Sequence, residues 1–158
     1  MIYLDECGFD QRITCTHGWS ARGKRLYGER TGKRQARENL IAARFGSQLL
    51  APLLIQGSVT AHCFEQWLSQ WLLPELPEHS ILILDNAPIH RKGKVRELSA
   101  EAGHDAWFLP PYSPDFNKIE HDFAALKKRR QYQPQGTSID QLIREYMDRD
   151  TVSDSYSE

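Results

Sequence analysis

Two aspartates follow short apolar runs, Asp5 after Ile-Tyr-Leu and Asp85 after Ile-Leu-Ile-Leu. At the end of a strand a carboxylate can reach a crevice without being buried unpaired, and ligand sites of α/β sheets gather there. A single such Asp is commonly only a turn residue; two in one chain shift the balance. Glu120 is a third candidate, in the first turn of a helix expected after Pro110-Pro111-Tyr112-Ser113-Pro114-Asp115-Phe116. Two Asp and a Glu, with no clustered His or Cys, form an oxygen-only ligand set that suits Mg²⁺ or Mn²⁺ rather than Zn²⁺. Brought together, three carboxylates repel strongly unless a dication neutralises them. A two-metal site of this kind can activate a water or a 3′-hydroxyl and stabilise the leaving oxygen of an in-line attack on a phosphodiester.

Competing signals are weaker. Residues 18–24 satisfy G-x-x-x-x-G-K, but Arg25 stands where a phosphate loop needs Ser or Thr, and no strong strand precedes it. Cys7, Cys15, His17, His62 and Cys63 match no zinc spacing, and three cysteines without a C-x-x-C pair fit a reducing compartment. Glu6 adjoins Asp5 but faces the other side of a strand. Asp115 is expected to lie outside the helix, and Asp122 is turned about 200° from Glu120.

The elements that must position these residues read as one mixed α/β domain. The chain has 158 residues, 40% hydrophobic and 26% charged, enough for a single core. Strands are expected at 1–4, 13–19, 39–45 and 48–56, the last two forming a hairpin around Gly46-Ser47. Thr60 reads as the N-cap of a helix with Phe64, Trp67, Leu68, Trp71 and Leu72 along one apolar face, stopping before Pro74. A buried strand at 80–84, a helix at 91–102 closed by Gly103, a short strand at 106–109 and helices at 117–130 and 137–149 complete the order. Residues 1–150 are expected to form the domain and 151–158 a polar tail. There is neither a signal-peptide pattern nor an apolar run of the roughly 20 residues a membrane span needs, so a cytoplasmic protein with no membrane partner is expected.

Three segments then meet a family. Leu4-Asp5-Glu6-Cys7-Gly8-Phe9, Leu84-Asp85-Asn86-Ala87-Pro88-Ile89-His90 and the stretch from Leu109 to Glu120 resemble the three catalytic blocks of mariner-superfamily DDE transposases, closest to the bacterial insertion-sequence branch. The 34 residues between Asp85 and Glu120 match the spacing of that branch. The resemblance covers residues 1 to about 130. It implies a ribonuclease H-like fold, a mixed central sheet flanked by helices, with Asp5 on the first strand, Asp85 on the fourth and Glu120 on a later helix holding two Mg²⁺, for which Mn²⁺ can substitute. The implied reaction is hydrolysis at transposon ends, then transfer of the freed 3′-hydroxyl into target DNA. Asn86 and His90 match positions beside the active site, with supporting roles in positioning the loop or contacting phosphate. Many relatives have Leu, Pro and Trp where this chain has Phe116, Lys118 and Phe123.

Double-stranded DNA, as transposon end and as target, is the implied partner. Residues 22–37 hold seven basic residues against one acid, Glu29. Arg22, Lys24, Arg25, Lys33 and Arg34 in this window, together with Lys118, Lys127 and Lys128, are expected to track DNA phosphates; a solvated loop and a dipole-complementing helix end are the plainer alternatives. Only four residues precede Asp5, leaving no room for the helix-turn-helix region of full-length relatives. Weak, sequence-independent DNA binding is therefore expected, with a homodimer and a separately encoded or frameshift-fused N-terminal region left open as partners. A non-catalytic DNA-binding remnant and another ribonuclease H-like nuclease or resolvase stay open as alternative functions.

Overall fold

The computed structural model describes residues 1–10, 37–111, 116–134 and 136–153. The strand expected at 13–19, the basic window up to residue 36 and Asp115 lie outside the described residues. Five strands form one sheet: β1 (Ile2–Phe9), β2 (Glu38–Phe45), β3 (Gln48–Gln56), β4 (Ile81–Leu84) and β5 (Asp105–Phe108), in the order β3-β2-β1-β4-β5. β1, β2 and β3 are antiparallel neighbours, whereas β4 and β5 run parallel to β1. Gly46, at φ +59°, supplies the left-handed residue that the β2–β3 turn requires.

Alternation along the strands sends apolar side chains to both faces, and helices cover each. On one face Ile2, Leu4, Ile41, Leu82 and Leu84 meet Phe64, Trp67 and Leu68 of the segment after Thr60, and Val95 of α2 (Lys92–Glu101). On the other, Cys7, Phe9, Leu40 and Ala42 meet Ile119, Phe123 and Leu126 of α3 (Ile119–Gln131) and Leu142 and Ile143 of α4 (Ile139–Ser153). Full burial of each Leu, Ile or Phe contributes about 1.5–3 kcal/mol, so the sheet is held from both sides.

Three expectations need correction, and one exclusion gains its reason. β1 does not end at Leu4 but continues to Phe9, because β2 pairs with it along its whole length. The helix α1 (Ala61–Trp67), capped by Thr60, gives way to a π-helical turn over Leu68–Leu72 rather than running on. The wider turn, closed by Leu73 N–H on Leu68 O, rotates Trp71 off the apolar stripe, and it is 59% exposed. α4 continues to Ser153, three residues into the expected polar tail. Asp122 is no rival ligand: it is 3% exposed, accepting from Arg44 Nη1 at 2.6 Å and from Tyr146 Oη at 2.6 Å, and so ties α3 to β2 and α4.

Asp122→Ala removes an almost fully buried carboxylate from two donors. We expect urea denaturation to show a loss of about 2–4 kcal/mol, and a loss below about 0.5 kcal/mol would contradict this role.

Candidate active site

β1 and β4 pair in parallel with Ile2 opposite Leu82 and Tyr3 opposite Ile83. Continuing that register by two residues sets Asp5 beside Asp85, where the two strands part. Asp5 shares the face of Tyr3 and Cys7, toward α3, which carries Glu120 as its second residue. Asn117 sets the start of that helix: its buried amide Nδ2 donates to Leu4 O at 3.1 Å, a strand carbonyl just past the last β1–β4 pair. Glu120 N–H in turn donates to Asn117 O at 3.1 Å. The residue before Asp5 and the turn bearing Glu120 are thus tied to one residue, the first through its side chain and the second through its backbone carbonyl.

Electrostatics show what this proximity costs. Burial raises the Asp5 carboxyl, the Glu6 backbone N–H donating to its Oδ1 at 2.8 Å pulls it down, and the charges of Glu6, Asp85 and Glu120 push it up again, to about 7. Asp85 is shifted the other way: His90 beside it and Ala87 N–H, 3.0 Å from its Oδ1, hold it below the usual carboxylate range against partial burial.

His90 is the hub of the loop after β4. Only 2% exposed, its ring stacks at a tilt on Phe64, with centroids 4.4 Å apart. Nε2 lies 3.0 Å from Glu6 Oε2. Nδ1 lies 2.8 Å from Asp85 Oδ1, close enough for an ion contact though not aligned as a directed hydrogen bond. Burial lowers the imidazole, but its contacts with Asp85 and Glu6 outweigh this and raise it to about 9. Of the two roles expected for His90, this geometry is that of positioning, since the buried ring presents no surface to a phosphate. Glu6 does face away from Asp5, as the strand pattern requires, yet it belongs to the site through His90. No local pattern could have shown this, because the pair is 84 residues apart.

The other expected residues are less engaged. Asn86 is exposed. Lys118 is exposed at the start of α3, its Nζ 5.6 Å from the Tyr3 ring centroid. Lys127 and Lys128 are exposed, and Lys127 lies against Cys7, whose thiol burial pushes up despite that cation. A thiol kept protonated is a poor metal ligand, which agrees with discounting zinc. Arg22, Lys24, Arg25, Lys33 and Arg34 lie outside the described residues. At the edge of that window, Arg37 lays its guanidinium on Gly8, whose missing Cβ makes the approach possible.

The donors fit a hard dication in chemistry: all are carboxylate oxygens, and Asp5 carries the signature of charge crowding. Among the described residues, however, no three His, Cys, Asp or Glu side chains converge as a ready ligand set.

Asn117→Ala leaves Leu4 O without its donor and the first turn of α3 untied. The expected loss is about 1–3 kcal/mol of stability in chemical denaturation, with full stability as the contrary result.

No curated protein sequence matches the chain. Solved structures do. The Mos1 transposase paired-end complex with the left transposon end superposes with a TM-score of 0.75 at 20% identity, over 92% of this chain and 47% of that one. A Mos1 mariner paired-end complex with Mn gives 0.73 at 19% identity, over 92% and 47%, and a Mos1 strand transfer complex 0.70 at 18%, over 93% and 45%. The chain thus spans about half the length of these relatives. At such identities the likeness speaks for the fold, which is ribonuclease H-like, as the strand order and flanking helices indicate. The profile of the DDE superfamily endonucleases matches residues 1–143, so that most of the chain, including Asp5, Asp85 and Glu120, falls within it, and the chain belongs to that family.

Proposed function

We propose that this chain is the catalytic core of a DDE transposase, which hydrolyses a phosphodiester at transposon ends and transfers the freed 3′-hydroxyl into target DNA. The observation that supports the reading is the β1–β4 register, which continued by two residues runs Asp5 alongside Asp85, together with the tie from Asn117, at the start of the helix of Glu120, to β1. Membership of an endonuclease family and a fold shared with transposon-end complexes support it.

Asp5, Asp85 and Glu120 would hold two Mg²⁺, or Mn²⁺ in their place. Bound there, the ions would supply Lewis-acid activation of the attacking oxygen and charge neutralisation of the leaving one. The chain's own residues do the preparatory work. Asp5, held near neutrality by burial and by its acidic neighbours, would give up its proton when a cation replaces that repulsion. His90, fixed by Glu6 and packed on Phe64, keeps Asp85 ionised and aimed.

Duplex DNA is the proposed substrate for both steps. Because the chain spans about half of its solved relatives, recognition of particular ends is assigned to a further region, and the core alone would bind DNA weakly and without end preference. No described helix is long and apolar enough to cross a membrane.

A nicking assay on transposon-end duplex with Mg²⁺ or Mn²⁺ tests the proposal. Asp5→Asn, Asp85→Asn and Glu120→Gln should each abolish cleavage; Asp5→Asn should keep the parent's melting temperature or raise it, since it removes a crowded and buried charge, whereas Asp85→Asn should lower it, since it takes an ionised partner from His90. Cleavage by all three at the parent rate would rule the reading out. Cleavage that never joins the 3′-hydroxyl to target DNA would point instead to a resolvase-type nuclease.

His90→Ala, which removes the partner that holds Asp85 from behind, should lower metal affinity or cleavage by about 10–100-fold. Titrating Mn²⁺ against cleavage rate in variant and parent measures it, and superimposable curves would remove His90 from the machinery.

A further inference from the structure

β5 ends at Phe108, which pairs with Leu84, the residue before Asp85, and Leu109 N–H donates to Leu84 O at 2.8 Å. The Phe108 side chain therefore lies one strand away from the catalytic edge, at the same end of the sheet, on the face of Leu84 and α2 rather than the face from which Asp5 points. Two cations one helical turn apart on α2 sit over it: Lys92 Nζ is 5.6 Å and Arg96 Cζ 5.3 Å from the ring centroid. Their neighbours are neutralised, Arg91 by Glu65 and Lys94 by Glu97. Lys92 and Arg96 are exposed and have no carboxylate partner among the described residues.

This arrangement does not serve stability. Like charges at i and i+4 repel, and α2 has no acid in its first turn to offset cations placed at the positive end of its dipole. Gly93, between them, adds to the cost: a Cβ there would meet nothing within 4 Å, so the chain's own packing does not ask for glycine, and a helix prefers alanine. What the arrangement does provide is two long cationic side chains ordered in advance on an aromatic face, beside a bare stretch of backbone. The surface is open rather than a closed cavity, which fits a continuous polyanion better than a single small phosphate.

We propose that Lys92 and Arg96, held over Phe108 with Gly93 between them in sequence, grip the phosphate backbone of duplex DNA where it passes the carboxylate end of the sheet, on the α2 side of that end. The inference rests on the DNA-cleaving reading of the site and adds positioning residues that act on affinity.

Fluorescence anisotropy of the whole chain on a labelled duplex, without divalent cation and across a KCl series, tests it. The double variant Lys92→Gln/Arg96→Gln should weaken binding by roughly tenfold or more at 0.1 M KCl and flatten the slope of log K against log salt by about 2. Its melting temperature should stay level or rise, which a merely structural pair would not allow. Arg96→Lys, which keeps the charge, should retain the parent slope, and Gly93→Ala should weaken binding without lowering stability. If the parent binds and the double variant binds with the same slope, or if the double variant is destabilised, the grip is refuted and the carboxylate site is untouched. If the parent binds no duplex at any salt, the DNA reading of the site fails and the grip fails with it.

Discussion

Burial of Asp5 among acidic neighbours, Glu6, Asp85 and Glu120, is the constraint to which the proposed catalytic edge of this domain answers. Three carboxylates near one another and partly out of water cannot all be charged cheaply. The chain meets this with a different device for each. Asp5 is pushed up to about 7 by burial and by its acidic neighbours. Asp85 stays ionised because His90 and a backbone N–H hold it there. Glu120 remains exposed, one turn into α3. The edge thus offers a dication one carboxyl near its titration point and one already ionised.

The rest of the fold can be read as the support this constraint requires. The β1–β4 register decides which residues stand side by side, and the apolar layers on both faces fix that register, since a slip of one residue would turn Leu4 and Leu82 away from their core. Asn117 and Asp122 act on α3 from two sides, the first anchoring its start to β1 and the second its body to β2 and α4. His90 needs Phe64 behind it, so the helix after Thr60 takes part in the site although none of its residues faces the carboxylates. Removing the crowded charge of Asp5 and removing these anchors should therefore act in opposite directions on stability, a contrast that separates a proposed metal-facing residue from those that hold it.

Much of this was legible in the sequence, and the remainder was hidden for physical reasons. Asp5 and Asp85 stood out because apolar runs precede them, and Glu120 because a helix start could be placed from the prolines before it. The β2–β3 hairpin and the Thr60 cap are local features, and local chemistry sets them. Glu6 was discounted on correct grounds, since it does point away from Asp5, but its partner His90 comes from a loop 84 residues on, which no periodicity reveals. Asn117 could be placed near a helix start and not recognised as a clamp, because its acceptor is a strand carbonyl freed only where two strands diverge. Trp71 fitted the apolar stripe of an ideal helix and left it because the helix widens to a π turn. Asp122 was set aside on helix geometry alone, and its pairing with Arg44 and Tyr146, 78 and 24 residues away, could not be read locally.

The central claim is that a dication draws Asp5, Asp85 and Glu120 into one ligand set. Anomalous diffraction from a crystal of this chain soaked in Mn²⁺ tests it most directly. The account predicts manganese at the parting of β1 and β4, bound by carboxylate oxygens of all three residues, with His90 still against Glu6 and Asp85. Manganese bound elsewhere, or ordered crystals in which the three carboxylates stay apart at saturating metal, would contradict it.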